Sequence, residues 1–496
     1  MNHYYEAILA GTDVRANLIE LKKECKNKQY AQEFFAACDS FDWLGDLFGH
    51  EDAKVRKNAA NLVGIFGLQE FVDKLYDAYE KEQTRFVKSA YLAAMTQLDA
   101  SDYENQFKKR YEELLEYQPT AEEQKHIGEE RKLLHQLLAD MDAIDHHKFC
   151  GWKKRQDVIF TTEKSLRANL SAKLQRKSKL GIQVTDHPYG VRARTTELGM
   201  MSQIRCYREL LFVLNTKLVS SDVEKLAAEL AASNMYQLTS ENHEGNGPFY
   251  YRIELRGRFT LEEKSKFTNR LANLLDEKLG GRMRNSTGNY EVEIRLMQLK
   301  DGGFYPCLKF YTIADDRFSY RKESLSTSLH PSLAASLVEL AKAYYSEDST
   351  VLDACCGVGT LMIERQKRLP VYDAYRVDIY GEAIRAAKIN AAAAQIECNF
   401  ITRSITEFTT KHTIDEVFAD LPERGKKTKE EHDLFYKKFF DKMQEVLAAK
   451  GYLFLYSDEA GMVKKYLRLH PLFSLKREFT IRPKEGRVFY IIQKRT

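Results

Sequence analysis

Apolar side chains recur at helical spacing through the first 145 or so residues, with no proline before Pro119, and predict helix throughout that segment. Between Gly49 and Gly67 the residues Val55, Ala59, Leu62 and Phe66 share one face, with Asp52 and Arg56 outside it. A weaker echo follows 31 residues later, where Phe86, Ala90 and Ala93 stand in the places of Val55, Ala59 and Leu62. Self-similarity at such a period points to stacked helical pairs, because one pair cannot bury its apolar face alone. An ordinary helical bundle fits two such units equally well.

The period then changes. From Tyr250 to Gly257, Tyr251, Ile253 and Leu255 alternate with Arg252, Glu254 and Arg256, the pattern of a half-buried strand. A helix follows with Phe267, Leu271, Leu274 and Leu275 on one face, and further strands begin at Asn289 and Phe304. In the last third, short apolar strands alternate with helices from Val351 to Ser457, which predicts a parallel sheet with right-handed crossovers. A last strand is expected from Val488.

A chain of 496 residues exceeds one typical core. The pattern changes divide it into 1–147, 148–329 and 330–496: an all-α part, a mixed α+β part and an α/β part. Net charge is +4 and no apolar run approaches the length of a membrane span, so no membrane contact is expected. The start lacks a basic segment followed by an apolar one, and the eight cysteines form no C-x-x-C pair. Together these predict reduced thiols, no metal site and a cytoplasmic protein. The one strong local bias lies between Lys153 and Arg194, with eleven Lys/Arg against three Asp/Glu and the aromatics Trp152, Phe160 and Tyr189 among them. Such a strip, with Lys153, Lys154 and Arg155 at its head, suits a phosphate backbone and unstacked bases. A solvated helix face would carry the same charge.

The chemistry concentrates after residue 350. In VLDACCGVGTLMIE, Val351 to Glu364, a buried strand ends, Gly357 and Gly359 make a tight turn, and a helix begins. Glycine is needed where a side chain would keep a ligand from the amides at a helix N-terminus. Dinucleotide sites use a similar turn, but Met362 stands where they need a third glycine. Asp353, four residues before Gly357, can meet an ammonium group, which dinucleotides lack and S-adenosylmethionine carries. Asp378, 21 residues past Gly357 at the next predicted strand end, can accept both ribose hydroxyls, or can simply cap a helix. The motif resembles motif I of RNA guanosine methyltransferases, which implies S-adenosylmethionine as cofactor and adds Cys355 and Thr360 to its site. In related enzymes an Asp recognises adenine at the place of Ser404, and the serine hydroxyl is the corresponding candidate here.

Asp420, Leu421, Pro422 and Glu423 follow the fourth predicted strand, at the sheet edge where open α/β sheets bind ligands. They resemble the D/N-P-P-aromatic motif of enzymes that methylate exocyclic amines, where the acid or amide and a backbone carbonyl orient the amine and the aromatic stacks on an extruded base. Leu421 replaces the first proline and Glu423 the aromatic, with Phe435 and Tyr436 as substitutes for stacking.

Upstream, the strand–helix–strand–strand order and the phrase Asn285 to Ile294 resemble the RNA-binding THUMP module. Tyr320 and Arg321, followed by Pro331 and an Ala-rich helix, look like the junction into the catalytic domain of THUMP-containing RNA methyltransferases. The motif D-x-x-V-R-x-x-A at Asp52 resembles HEAT repeats and implies a docking surface for a partner protein or nucleic acid. These resemblances imply a Rossmann-like methyltransferase sheet, a THUMP-like centre and HEAT-like repeats. They imply methylation of an exocyclic base amine, guanine in tRNA or rRNA. Two alternatives stay open: an RNA-binding scaffold with a degenerate methyltransferase domain, and a protein-glutamine methyltransferase.

Overall fold

The computed structural model describes residues 3–38, 40–117, 119–120, 122–141, 147–216 and 220–496. The chain forms two compact units rather than three consecutive segments. The first comprises 1–148, 220–232 and 244–293, and the second comprises 149–219, 233–243 and 294–496.

In the first unit, helices run from His3–Leu9 to Gln124–Asp140, as the apolar spacing predicts. Helix Ala53–Phe66 packs on Arg85–Met95, which packs on Gln124–Asp140. The approach of the first pair is close: a Cβ on Gly64 would lie 3.0 Å from the Ala94 Cα. The repeat is offset by 32 residues, one more than the sequence echo gave. N-cap positions Asp52 and Thr84 correspond, and Val55, Ala59 and Leu62 correspond to the buried Val87, Tyr91 and Ala94. Phe86 and Ala93 are only half-buried. The echo followed residue size, whereas burial follows the phase of the helix set by its cap. Arg56 bonds Glu82 through two nitrogens, at 2.8 and 2.9 Å.

The same unit takes in the helices Val223–Ala232 and Leu261–Leu279 and the parallel strands Phe249–Arg256 and Met283–Asn285. This is why the boundary expected at 147 fails: Tyr250 belongs to the same apolar core as the N-terminal helices, and its hydroxyl bonds that of Tyr111.

The second unit holds two sheets. Strands Gln183–His187, Gly190–Thr195, Gln156–Thr161, Leu210–Val213 and Phe304–Phe310 lie side by side in that order. The other sheet is α/β. Its strands are β1 (Thr350–Asp353), β2 (Asp373–Asp378), β3 (Asn399–Thr402), β4 (Ile414–Asp420), β5 (Leu447–Ser457), β6 (Phe473–Arg482) and β7 (Arg487–Lys494). Their spatial order is 3-2-1-4-5-7-6. β1 to β5 pair in parallel, and β7 runs antiparallel to both β5 and β6. The helices are α1 (Pro331–Ala341), α2 (Thr360–Arg368), α3 (Gly381–Ala393), α4 (Lys429–Val446) and α5 (Ala460–Leu469). Sequence reading passed over β6, where Phe473, Leu475, Phe479 and Ile481 alternate but Arg477 interrupts them and most side chains lie outside the core.

Several charges buried inside this unit are paired. Arg365 on α2 and Glu416 on β4 are fully buried and bond at 2.8 and 2.9 Å. Glu364, one residue earlier on α2, accepts from Arg205 and from the Tyr320 hydroxyl.

Candidate active site

Register builds the site. On β1, Asp353 lies level with Arg376 of β2 and Phe418 of β4, so Asp378 and Asp420 stand two residues further along the flanking strands. Three carboxylates thus converge on one sheet edge, at the switch point where the chain leaves β1 in opposite directions.

Asp353 is buried, and neither carboxylate oxygen has a hydrogen-bond partner of good geometry. Burial pushes its carboxyl up to about 7, with Asp378 and Asp420 adding to the rise. The Arg376 guanidinium and the Cys355 amide oppose it without forming an ion pair or a well-aligned hydrogen bond. A buried carboxylate without a partner is costly unless a cation joins it. The ammonium of a methionine moiety is such a cation.

The turn after β1 is held open by its glycines. Gly357 has φ +51° and Gly359 φ +80°. A Cβ on Gly359 would come within 3.0 Å of Arg376 Nη1, whereas one on Gly357 would meet nothing within 4 Å. The space at Gly357 is therefore available to a ligand. Thr360 opens α2, buried, with its hydroxyl unpartnered, and Cys355 is half-buried beside the turn.

Asp378 closes this crevice from β2. Its Oδ2 accepts the Gly357 N–H at 2.9 Å and its Oδ1 the Tyr380 N–H at 3.0 Å. Each oxygen keeps a lone pair for a hydroxyl. The exposed side chains of Ile379 and Tyr380 follow directly. Ser404 lies at the end of β3, where its Oγ caps the turn Ile405–Glu407 by accepting the Thr406 N–H at 3.3 Å. That hydroxyl is already engaged locally.

Asn390 is a residue the sequence reading missed. It is fully buried on α3, and its Oδ1 accepts the Lys322 and Glu323 N–H groups at 2.9 Å. Its Nδ2 donates to the carbonyls of Glu323 and Val358, both at 3.0 Å. One amide thereby fastens the approach to the domain onto the turn after β1. A lone Asn inside a helix gives no sequence signal for this.

The loop after β4 departs from expectation. Leu421 is buried in the core and its N–H bonds the Tyr456 carbonyl at 2.9 Å, so its side chain cannot serve the site. Pro422 is half-buried and Glu423 exposed. Tyr436 is fully buried with its hydroxyl 2.8 Å from Ser457 Oγ, which removes it as a stacking surface. Phe435 is half-buried, with the Lys427 ammonium 5.6 Å from its ring centre. Burial pushes the Asp420 carboxyl up to about 6, helped by Glu423 and Asp458 and opposed by Arg487. Arg487, at the start of β7, lies 3.4 Å from Asp420 Oδ1 and also bonds Glu423.

The residues expected to meet RNA separate. Lys153, Lys154 and Arg155 are exposed, although the Lys154 ammonium donates to the Glu241 carbonyl. Farther along the basic stretch, Arg192 and Arg194 are paired with Asp157, and Lys173 and Arg176 with Glu339. Tyr320 is buried against Glu364 and Arg321 is half-buried, so this pair is not an exposed platform. An aromatic next to a cation reads alike as a nucleic-acid contact or as a buried ion-pair anchor. Here Tyr320 is the anchor, through its hydroxyl on Glu364. Among the described residues, no helix is long and apolar enough to cross a membrane.

Residues 319–482 match the family model of the RMKL-like methyltransferase domain. No curated protein sequence matches the chain. Among solved structures, TrmN from Thermus thermophilus is 19% identical with a TM-score of 0.50, covering 69% of this chain and 100% of its own. SMU.472, described as a methyltransferase complexed with SAH, gives 13% and 0.52, covering 69% of this chain and 99% of its own. A predicted N6-adenine-specific DNA methylase from Listeria monocytogenes gives 15% and 0.50, covering 68% and 96%. Residues 319–482 thus carry a methyltransferase domain.

Proposed function

We propose that the chain methylates an exocyclic base amine of RNA, with guanine in tRNA or rRNA as the favoured target. The observation that carries this reading is the Asp420 carboxylate at the end of β4, on the same sheet edge as Asp353 and partly open to solvent. S-adenosylmethionine supplies an electrophilic methyl group. Asp353 would hold its ammonium, Asp378 its ribose hydroxyls, and the Gly357–Gly359 turn gives its backbone close approach. Asp420 would accept an amine N–H and turn the nitrogen lone pair toward the methyl carbon. The Leu421 peptide, not its side chain, remains for a second contact. The amine becomes acidic as it gains the methyl and then gives up a proton, so no strong base is needed.

The exposed head of the basic stretch, Lys153 and Arg155, supports RNA as the substrate class, through phosphate contacts. The α+β region upstream would act as a THUMP-like binding module. The N-terminal helices would act as a HEAT-like surface for a partner protein.

Nucleoside mass spectrometry of RNA from cells lacking the protein, with and without a restored gene, tests the reading. A methylated guanosine that disappears and returns is expected, and an unchanged modification profile would overturn it. The second reading, a scaffold with a degenerate catalytic domain, draws on Glu423 and its ion pair standing where an aromatic would stack. It requires that the purified chain bind cofactor and RNA yet transfer no methyl group.

A further inference from the structure

The guanidinium of Arg487 sits among three carboxylates drawn from separate elements. Asp420 ends β4, Glu423 belongs to the loop that follows, and Asp458 follows β5. Its side chain is 14% exposed and lies 5.3 Å from the Tyr456 ring centre, so it has little room to turn outward. Its two terminal nitrogens are used unequally. Nη2 bonds Glu423, whereas Nη1 reaches only to 3.4 Å of Asp420 Oδ1. A charge-assisted pair free to optimise closes to about 2.7–2.9 Å, commonly through both nitrogens. The guanidinium is therefore drawn toward Glu423, and Asp420 Oδ2 makes no hydrogen bond among the described residues.

We propose that Glu423 is a positioning residue that holds Arg487 off Asp420, so that the Asp420 carboxylate stays open to the target amine. The inference rests on the amine-methylating reading for its purpose and on the ion-pair geometry for its content. Without Glu423 the guanidinium would close onto Asp420 with both nitrogens, and the acceptor for the amine would be occupied. Without Arg487, Asp420 would lose the cation that opposes its protonation and would face Glu423, Asp458, Asp353, Cys355 and Tyr456. The residue at the place of the motif's aromatic thus tunes the acid instead of stacking on the base. It also explains why an acidic side chain is tolerated beside a carboxylate already pushed up by burial: the cation between them compensates both.

The test is a carboxyl-carbon NMR titration of the full-length chain, with Asp420 assigned by the signal lost in Asp420→Asn. It compares wild type, Glu423→Gln and the double variant Glu423→Gln/Arg487→Gln, beside rates of methyl transfer to RNA in mildly alkaline buffer. The expected result is a lower Asp420 midpoint in Glu423→Gln and a higher one in the double variant. Transfer should fall on the order of tenfold in Glu423→Gln and recover in part in the double variant. Unchanged cofactor affinity in each variant shows that the fold is kept. Equal midpoints in wild type and Glu423→Gln would overturn the proposal. The titration needs no RNA, so a wild-type chain that methylates no RNA sinks the proposed function while the midpoints still decide the role of Glu423.

Discussion

Asp378 accepts the Gly357 N–H at 2.9 Å, so the acid at the end of β2 and the first glycine of the turn after β1 form one hydrogen-bonded unit. The crevice proposed for the cofactor is therefore braced before any ligand arrives. Changing Asp378 to Ala removes both the brace and the acceptor for hydroxyls. Calorimetry should show cofactor affinity weakened by roughly 1–3 kcal/mol. Unchanged affinity in a folded variant would remove Asp378 from the site.

Asp353 sets a pH dependence. Its carboxyl is raised from 3.8 to about 7 in the folded chain, chiefly by burial. Between those values the folded chain keeps a proton that the unfolded chain has released. Ionisation of Asp353 therefore costs stability as pH rises through this window, on the order of a few kcal/mol without a cation. Asp353→Asn should raise the melting temperature of the cofactor-free chain above pH 7 and leave it unchanged below about pH 4. In wild type, cofactor affinity should climb as pH rises through 7, because the ammonium needs the ionised acid. Affinity flat across that range would contradict the pairing.

The two glycines of the turn should differ under the same substitution. Ala at 359 meets Arg376 at 3.0 Å and a φ of +80°, so chemical denaturation should show a loss of about 1–3 kcal/mol. Ala at 357 has open space and bears only the left-handed backbone cost, about 1 kcal/mol. Its main effect should appear in cofactor affinity, since the methyl group occupies space meant for the ligand. Equal stability losses with unchanged cofactor binding would place the ligand elsewhere.

Asp420→Ala should abolish methyl transfer while cofactor binding stays nearly intact. In the proposed reaction the acid orients an amine that meets the methyl group only in the ternary complex, and such an interaction lowers turnover more than binding. Asn should retain more activity than Ala, because its carbonyl still accepts one amine hydrogen. Single-turnover assays read the contrast, and equal activity of wild type and Ala would exclude Asp420 from the reaction.

RNA affinity offers a further test. Neutralising Lys153 and Arg155, both exposed, should flatten the dependence of RNA binding on salt. Each lost phosphate contact lowers the slope by about 0.7–0.9. An identical slope would mark the cluster as solvated surface.

What the sequence made legible follows the kind of signal each feature leaves. The β1 turn was readable because glycine at 357 and 359 and an acid at 353 are demanded by local backbone geometry and by one buried charge. β7 followed from its apolar run, and the structure agrees. Partners far apart in sequence were not readable. Nothing in the order of residues says that Arg487 would stand between Asp420 and Glu423, or that Tyr320 would anchor on Glu364 instead of facing RNA. The basic stretch lost part of its charge in the same way, since Asp157 and Glu339 come to it from other elements. Periodicity reports what is buried, but not what a buried charge is paired with.

The amide of Asn390 also bears on where this catalytic unit begins as a heritable and separable piece of chain. A fragment starting at 330, where the Ala-rich helix suggests a boundary, would leave that buried amide without the Lys322 and Glu323 backbone, two donors and one acceptor short. Unsatisfied buried polar groups cost about 1–3 kcal/mol each. A fragment starting at 319 keeps those groups, together with the Tyr320 anchor on α2. The stretch 319–329 is therefore cargo of the catalytic domain, and shuffling or truncation that respects the helix start rather than this tether should yield a domain that folds poorly and holds its cofactor turn loosely.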